Sequence, residues 1–201
     1  SVGSVTAATY LLPQNRHLAA SYLDATAGYI ALYSDLFGAY PFQKFAVVEN
    51  FFPTGFGFPS YTLMGGTVLR LPFIVHTSLG HEIAHCWWGN GVYVDYATGN
   101  WSEGLTAYVA DYLFKEMKSE KAARQARRQW LRNFATLVRP DDDFALSRFQ
   151  SRYDPVTQTI GYDKSAMVFH MIRQLIGEKA FWGGLRDLYR DRLYRQTPWA
   201  D

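Results

Sequence analysis

A histidine, a glutamate and a second histidine stand close together as His81, Glu82 and His85, in an H-E-x-x-H pattern. Residues four apart on an α-helix are separated by about 40° around its axis, so both imidazole rings can aim at one point. Zinc binds imidazole nitrogen, and a catalytic zinc site keeps three protein ligands and one position open for water. Glu82 would lie beside that water as a general base. The pattern predicts a hydrolytic metal site, although helices that bind no metal can share so short a signature.

The candidate for a third ligand is Glu103, in the segment Trp101-Ser102-Glu103-Gly104. Helical spacing predicts that this segment opens the next helix, with Ser102 as its N-cap. The alternative is an ordinary glutamate in a first helical turn, where the helix dipole favours negative charge. Cys86 projects about 100° away from His85 on the helix, so we interpret it as a core thiol.

The composition is that of a dense, aromatic-rich globular protein of 201 residues, with 48% hydrophobic and 19% charged residues. These values exclude disorder. The formal net charge of +2 gives no reason to expect a nucleic-acid partner. No uninterrupted apolar run approaches the ~18 residues of a membrane helix, and no secretory signal pattern is visible, so the sequence does not indicate a compartment.

Hydrophobic spacing predicts a mostly helical α+β domain with a small N-terminal sheet portion. Gly-rich and Pro-rich stretches mark its loops. We expect residues 1–201 to form a single catalytic domain, a fragment of a longer multidomain chain. The predicted helices are Gln14–Phe37, Thr77–Trp88, Ser102–Met117, Glu120–Arg139, Tyr162–Ile176 and Lys179–Tyr194. The predicted strands are Phe45–Val48 and Tyr61–Leu71, the second interrupted by Gly65-Gly66, with Asn50–Pro59 as a loop.

Three segments, His81–Asn90, Glu103-Gly104 and Gly161–Ala166, together resemble the zinc aminopeptidases of the alanyl aminopeptidase type. That family belongs to the gluzincins, whose catalytic domain is similar to that of thermolysin. The resemblance covers roughly residues 44 to 194. It implies one zinc ion held by His81, His85 and Glu103, a peptide substrate, and further domains in the full-length protein.

The same resemblance gives Tyr162 a role, because Tyr162-Asp163-Lys164-Ser165-Ala166 looks like the family's Y-E-K-G-A segment. The tyrosine of that segment donates a hydrogen bond to the oxyanion of the tetrahedral intermediate. Without the resemblance, we would interpret Tyr162 as an interfacial core tyrosine. Ser165 stands where the family usually has glycine, Ser102 replaces the usual asparagine before the ligand glutamate, and the spacing from His85 to Glu103 is one residue shorter.

A larger departure concerns the family's G-x-M-E-N segment, whose glutamate holds the free amino group of the substrate. The corresponding stretch, Gly55–Tyr61, contains no carboxylate. Glu49 precedes it, and we interpret Glu49 either as a strand-end residue or as a substitute anchor. We expect Gly55, Phe56, Gly57 and Phe58 to bind an extended peptide by adding it to a sheet edge. The sequence therefore predicts an aminopeptidase-like zinc peptidase, with two alternatives: an endopeptidase or other peptidase that needs no free N-terminus, and a catalytically silent binding scaffold.

Overall fold

The computed structural model describes residues 3–200. Within them the chain divides into two compact units, the first ending at Gly91 and the second beginning at Val92. The strands and α-helices are β1 (Thr6–Tyr10), α1 (Ala19–Phe37), β2 (Lys44–Asn50), β3 (Gly55–Phe58), β4 (Tyr61–Gly65), α2 (Gly66–Leu69), α3 (Ser78–Ala84), β5 (Trp88–Gly89), β6 (Val92–Val94), α4 (Ser102–Thr106), α5 (Leu113–Lys118), α6 (Glu120–Leu137), α7 (Pro155–Gln158), α8 (Ser165–Ile176), α9 (Glu178–Arg192) and β7 (Gln196–Thr197).

The first unit contains a four-stranded sheet in the order β1-β2-β4-β3. Strands β1, β2 and β4 run parallel, and β3 pairs with β4 in the antiparallel direction at the edge of the sheet. The consecutive apolar residues Phe45, Ala46 and Val47 of β2 are all buried, as expected for an inner parallel strand. In this order β2 and β4 are inner strands, and β3 lies at one edge of the sheet.

Helix α1 holds α3 in place within this unit. The buried Tyr33 hydroxyl of α1 donates to the carbonyl oxygen of Gly80, at 3.1 Å. The indole Nε1 of Trp87, which follows α3, donates to the carbonyl oxygen of Gly38 at 3.0 Å. Both bonds satisfy polar groups inside an aromatic core, where an unpaired donor would be costly. The helix that carries the two histidines is thus fixed at both of its ends by side chains.

The second unit is built mainly from helices. Ser119 caps α6, because its hydroxyl accepts a hydrogen bond from the backbone N–H of Ala122 at 3.1 Å. Asp154 and Thr157 form a reciprocal capping box at the start of α7, with Pro155 in the first turn. Strands β6 and β7 pair in parallel. The fold class predicted from the sequence, a mostly helical α+β domain with small sheets, is confirmed.

Several predicted boundaries are wrong. The stretch Asn50–Pro59 is not a loop throughout, because it includes β3, and β4 ends at Gly65 before a short helix instead of running to Leu71. A further strand, β1, lies before the first predicted helix. The helix predicted to begin at Tyr162 is continuous with α7 and begins at Pro155. Among the described residues, no helix is long and apolar enough to cross a membrane.

Candidate metal centre and its surroundings

His81 and His85 lie one turn apart at the C-terminal end of α3. The backbone N–H of His85 donates to the carbonyl oxygen of His81 at 3.2 Å, which closes the last α-helical turn. The next two N–H groups bond three residues back, so the chain tightens immediately after His85. The two imidazole rings lie on one face, with ring centroids 4.9 Å apart and planes at 78° to each other. The structure therefore brings the two predicted histidine ligands together.

A backbone carbonyl determines which nitrogen of His85 can bind a metal. Nδ1 of His85 lies 3.0 Å from the carbonyl oxygen of Trp88. A carbonyl only accepts hydrogen bonds, so Nδ1 must carry the hydrogen and Nε2 keeps its lone pair in the neutral ring. Histidines that bind zinc commonly donate their other ring N–H in this way. The donor chemistry of His85 therefore fits a zinc ligand that binds through Nε2.

Glu82 lies against the edge strand β3. A Cβ atom built on Gly57 would come within 2.7 Å of Oε2 of Glu82, and one built on Gly55 would lie 3.4 Å from Oε1. Alternate residues of a strand share a face, so both glycines turn the same bare face toward the carboxylate. The predicted general base and the predicted peptide-binding strand thus lie side by side.

The carboxylate of Glu49, the candidate anchor for a substrate amine, accepts hydrogen bonds from other residues of the first unit. Its Oε2 accepts from the backbone N–H of Leu12 and its Oε1 accepts from Nδ2 of Asn15, both at 2.7 Å. Arg70 in turn donates to Oδ1 of Asn15, at 3.4 Å. These contacts agree with the interpretation of Glu49 as a residue that ties the end of β2 to the segment after β1.

In the second unit, Glu103 lies half-buried in the first turn of α4. Ser102 does not cap this helix, which corrects the prediction. The buried side chain of Asn100 takes that part instead, because its Oδ1 accepts from the backbone N–H of Ser102 at 3.1 Å and from the Ser102 hydroxyl at 2.8 Å. Asn100 is itself held by the carbonyl oxygen of Phe149, to which its backbone N–H donates at 2.6 Å. The start of the helix that carries Glu103 is therefore rigidly fixed.

Two π-helical segments accompany the predicted site residues of the second unit. The helix that begins with Glu103 passes into a π-helix at Ala107–Tyr112, and Tyr162 lies inside a second π-helix at Thr159–Lys164. Such segments are rare and are frequent at functional sites, because they redirect side chains relative to an α-helix. The sequence predicted ordinary α-helical turns in both places.

Close packing joins these two helical runs. A Cβ atom on Gly104 would overlap the side chain of Ser165, and a Cβ atom on Gly161 would overlap the ring of Phe149. Both glycines are therefore required for the approach of neighbouring groups. The hydroxyl of Ser165, which stands where the family usually has glycine, is buried and has no hydrogen-bond partner among the described residues.

Tyr162 lies half-buried beside an aromatic ring and a cation. The ring of Phe149 meets it edge-on, with centroids 6.2 Å apart, and the guanidinium of Arg152 lies 5.6 Å from its centroid. The next residue, Asp163, accepts a hydrogen bond at its Oδ2 from Nδ2 of Asn133, at 2.6 Å. Burial raises the pKa of the Asp163 carboxyl, and the hydrogen bond from Asn133 partly opposes this.

Sequence reasoning missed two groups that shape the site. The first is the carbonyl oxygen of Trp88, which no sequence signal reveals because any residue carries one. The second is Asn100, which lies three residues before Glu103, whereas the family's asparagine stands directly before the glutamate. Its position ahead of a predicted helix start was the signal that could have identified it.

Comparison with known proteins places the fold in a class of zinc metallopeptidase domains. The model of the peptidase family M1 domain matches residues 74–198, and the chain belongs to this family. This confirms the resemblance seen in the sequence. Aminopeptidase 2, mitochondrial, of Saccharomyces cerevisiae is 26% identical over 194 residues, and the match covers 88% of this chain and 20% of that protein.

Two solved structures are also similar. An M1 zinc metallopeptidase from Deinococcus radiodurans, solved as a mutant bound to a Tyr-Ser-Ala substrate, is 25% identical with a TM-score of 0.67, over 94% of this chain and 39% of that one. Leukotriene A4 hydrolase from Saccharomyces cerevisiae is 17% identical with a TM-score of 0.71, over 98% of this chain and 33% of that one, and shares the fold. The chain thus spans 20% to 39% of the lengths of these relatives.

Proposed function

We propose that this chain is the catalytic part of a zinc-dependent peptidase that hydrolyses peptide bonds with a metal-activated water. The observation that carries the proposal is the hydrogen bond from Nδ1 of His85 to the carbonyl oxygen of Trp88, at 3.0 Å. A histidine held in this tautomer, with a second histidine one turn before it, has the donor chemistry of a zinc site. Membership of peptidase family M1 supports the same function.

The proposed ligands of one zinc ion are His81, His85 and Glu103. The two imidazole rings lie on one face of α3, with centroids 4.9 Å apart, and Glu103 is the ligand that the family resemblance adds. Two imidazoles and one carboxylate are the ligand set of thermolysin-type catalytic zinc sites. Cys86 does not belong to the set, because its thiol lies in the core, where its Sγ accepts a hydrogen bond from the Tyr40 hydroxyl at 3.5 Å.

A zinc ion held by His81, His85 and Glu103 would lower the pKa of a bound water toward about 7 and would polarise the scissile carbonyl. Glu82 accepts the proton of the water as it attacks and delivers a proton to the leaving amine, a role typically worth about 10²–10⁴-fold in rate. The hydroxyl of Tyr162 donates a hydrogen bond to the oxyanion. The half-burial of Glu82 and Tyr162 is compatible with contact to a bound substrate.

The proposed substrate is a peptide that binds in an extended form along β3. Strand β3 is the last strand of its sheet in the order observed, so its backbone can pair with a peptide by β-augmentation. Gly55, Phe56, Gly57 and Phe58 would supply these contacts, and the ring of Phe56 is half exposed. The Tyr-Ser-Ala substrate of the Deinococcus radiodurans enzyme supports a short peptide as ligand.

The activity test compares the full-length wild-type protein with Glu82→Gln on a broad peptide library, together with zinc analysis. We expect the wild type to cleave peptides and Glu82→Gln to lose about 10²–10⁴-fold in kcat while it keeps its zinc. If both proteins hold zinc and neither cleaves any peptide, the chain is a binding scaffold and the proposal is wrong.

The choice between aminopeptidase and endopeptidase depends on an anchor for the substrate amine. Gly55–Tyr61 contains no carboxylate, and Glu49 is occupied by Leu12 and Asn15. These observations favour the alternative of a peptidase that needs no free N-terminus, whereas the similarity to Aminopeptidase 2 favours an aminopeptidase. Free and N-acetylated forms of one peptide separate the two, because faster cleavage of the acetylated form excludes an aminopeptidase.

We further propose that residues 1–201 form one catalytic domain of a longer protein. The chain spans only part of each relative it matches, which supports additional domains in the full-length protein. For that reason the activity tests use the full-length protein.

A further inference from the structure

Strand β3 meets Glu82 through glycine at two alternate positions. A Cβ atom on Gly57 would lie 2.7 Å from Oε2 of Glu82, which is closer than a carbon and an oxygen can approach. The same atom would lie 3.5 Å from Cβ of His85 and 3.6 Å from the carbonyl oxygen of Glu82, both ordinary van der Waals distances. Among residues 3–200, a methyl group at position 57 therefore conflicts only with the carboxylate of Glu82.

A rotation of the Glu82 side chain can relieve this conflict. The carboxylate is the end of a flexible side chain, so it can rotate away, whereas the strand is held by its pairing with β4. A side chain at position 57 would thus leave the fold intact and move Glu82. A shift of about 1 Å in a catalytic group can cost on the order of 10²-fold in rate.

We propose that Gly57 is a positioning residue for Glu82: its missing side chain is what allows the carboxylate to lie against the edge strand. The inference rests on the proposed role of Glu82 as general base. Strand β3 then has a second role besides peptide binding. Position 57 must be glycine for the carboxylate of Glu82 to keep its place, and this holds for any peptide substrate.

Other glycines provide matched comparisons. A Cβ atom on Gly55 would lie 3.4 Å from Oε1 of Glu82, an ordinary contact, so Gly55→Ala should disturb the base less than Gly57→Ala. A Cβ atom on Gly66 would overlap Oε1 of Glu49, a carboxylate outside the proposed reaction. Gly66→Ala therefore reproduces the collision of a methyl group with a glutamate without touching Glu82.

The kinetic test uses the full-length protein and a peptide that the wild type cleaves. For Gly57→Ala we expect kcat to fall about 10- to 100-fold. KM should stay within about threefold, and zinc content should be unchanged, because Glu82 acts on the proton and not on binding. Gly66→Ala should keep the kcat of the wild type, and Gly55→Ala should lose less than Gly57→Ala. Equal losses in Gly57→Ala and Gly66→Ala would overturn the inference.

A rescue experiment isolates the collision. Glu82→Asp withdraws the carboxylate by one methylene, so Gly57→Ala should cost less than about threefold in that background, against about 10- to 100-fold in the wild type. If the Gly57→Ala loss is the same in both backgrounds, position 57 acts by another route and the inference is wrong.

A crystal structure of the Gly57→Ala full-length protein supplies a readout that does not need activity. We expect the carboxylate of Glu82 to have moved and the backbone of β3 to have stayed. A carboxylate in its original position overturns the inference, even if the protein proves to be inactive. Conversely, a displaced carboxylate in a protein whose wild type cleaves nothing supports the inference and contradicts the proposed function.

Discussion

Nδ1 of His85 lies 3.0 Å from the carbonyl oxygen of Trp88, across the tight turn that ends the histidine helix. The indole of Trp88 is completely buried, so its backbone is held in place by the core. The turn therefore does more than end the helix, because it selects the tautomer of a proposed zinc ligand and fixes the direction of its ring.

The first prediction concerns this tautomer. In the zinc-loaded full-length protein, His85 should carry its hydrogen on Nδ1 and bind through Nε2, because the Trp88 carbonyl oxygen can only accept. Nitrogen NMR of protein labelled in its histidines distinguishes the two ring nitrogens, and a His85→Ala spectrum assigns the signals. A hydrogen on Nε2 of His85 would show that the carbonyl contact does not define the site.

The second prediction concerns Arg173, a buried cation in the second unit. Its guanidinium donates to Glu116 at 2.8 Å, to Glu178 at 2.7 Å and to the Tyr108 hydroxyl at 3.2 Å. The Glu178 side chain is 61% exposed and that of Glu116 is 30% exposed, so water can solvate both carboxylates once the guanidinium is removed. Arg173→Ala should therefore lower the free energy of unfolding by about 1.5–3 kcal/mol, the range for lost hydrogen bonds to charged groups.

The control for that prediction is the exposed pair of Arg124 and Glu120, which lie 2.6 Å apart on the surface of α6. Arg124→Ala should cost less than about 0.5 kcal/mol, because solvent screens such pairs. Urea denaturation of the variants measures both values. Similar losses for Arg124→Ala and Arg173→Ala would mean that burial does not set the strength of the Arg173 pairs.

The third prediction is a pH dependence that comes from His170. Burial lowers the pKa of His170 below its usual 6.5, and the charges of Arg127 and Arg173 lower it further, against smaller opposing effects of Glu116 and Glu178. As the pH falls, His170 is therefore protonated at a higher pH in the unfolded chain than in the folded chain. Stability from this group is present above pH 6.5 and is lost as the pH falls below it.

His170→Gln should accordingly weaken the fall in stability below pH 6.5, measured from urea midpoints at a series of pH values. His170→Asn should weaken the slope in the same way as His170→Gln, because neither amide binds a proton in this pH range. An identical slope for His170→Gln and the wild type would contradict the prediction.

The fourth prediction concerns the contact of Gly104 with Ser165. A methyl group on Gly104 would overlap the serine side chain, so Gly104→Ala should destabilise the protein by about 2 kcal/mol, as overpacking does. Ser165→Gly should recover much of this loss. Ser165→Ala alone should be neutral or stabilise by up to about 1 kcal/mol, because the buried hydroxyl has no partner among the described residues. Additive effects in the double variant would rule out a direct contact.

Much of the fold could be predicted because long helices repeat their apolar residues at a clear period. Helix α6 was expected at Glu120–Arg139 and lies at Glu120–Leu137. Strand β3 was missed because Gly55 and Gly57 have low strand propensity, and the close approach of Gly57 to the carboxylate of Glu82 is a tertiary contact that the sequence does not show. The start of α7 was missed although Asp154 and Pro155 carry a recognisable capping signal.

Candidate site residues were easier to find than the groups that orient them. His81, Glu82 and His85 are recognisable by their spacing, and Glu103 by its place at the start of the next predicted helix. Tyr162 became a candidate only through the family resemblance. The carbonyl oxygen of Trp88 and the π-helical turns around Tyr162 have no sequence signature, because they arise from backbone geometry that tertiary packing imposes.

Zinc binding by the full-length protein tests the central proposal most directly. We predict one zinc ion per chain in the wild type and in Glu82→Gln, measured by elemental analysis after dialysis against a weak chelator. His81→Ala, His85→Ala and Glu103→Ala should each weaken zinc affinity by more than about tenfold, because a catalytic site has only three protein ligands. Retention of zinc at wild-type affinity in Glu103→Ala, or failure of the wild type to bind zinc, would contradict the account.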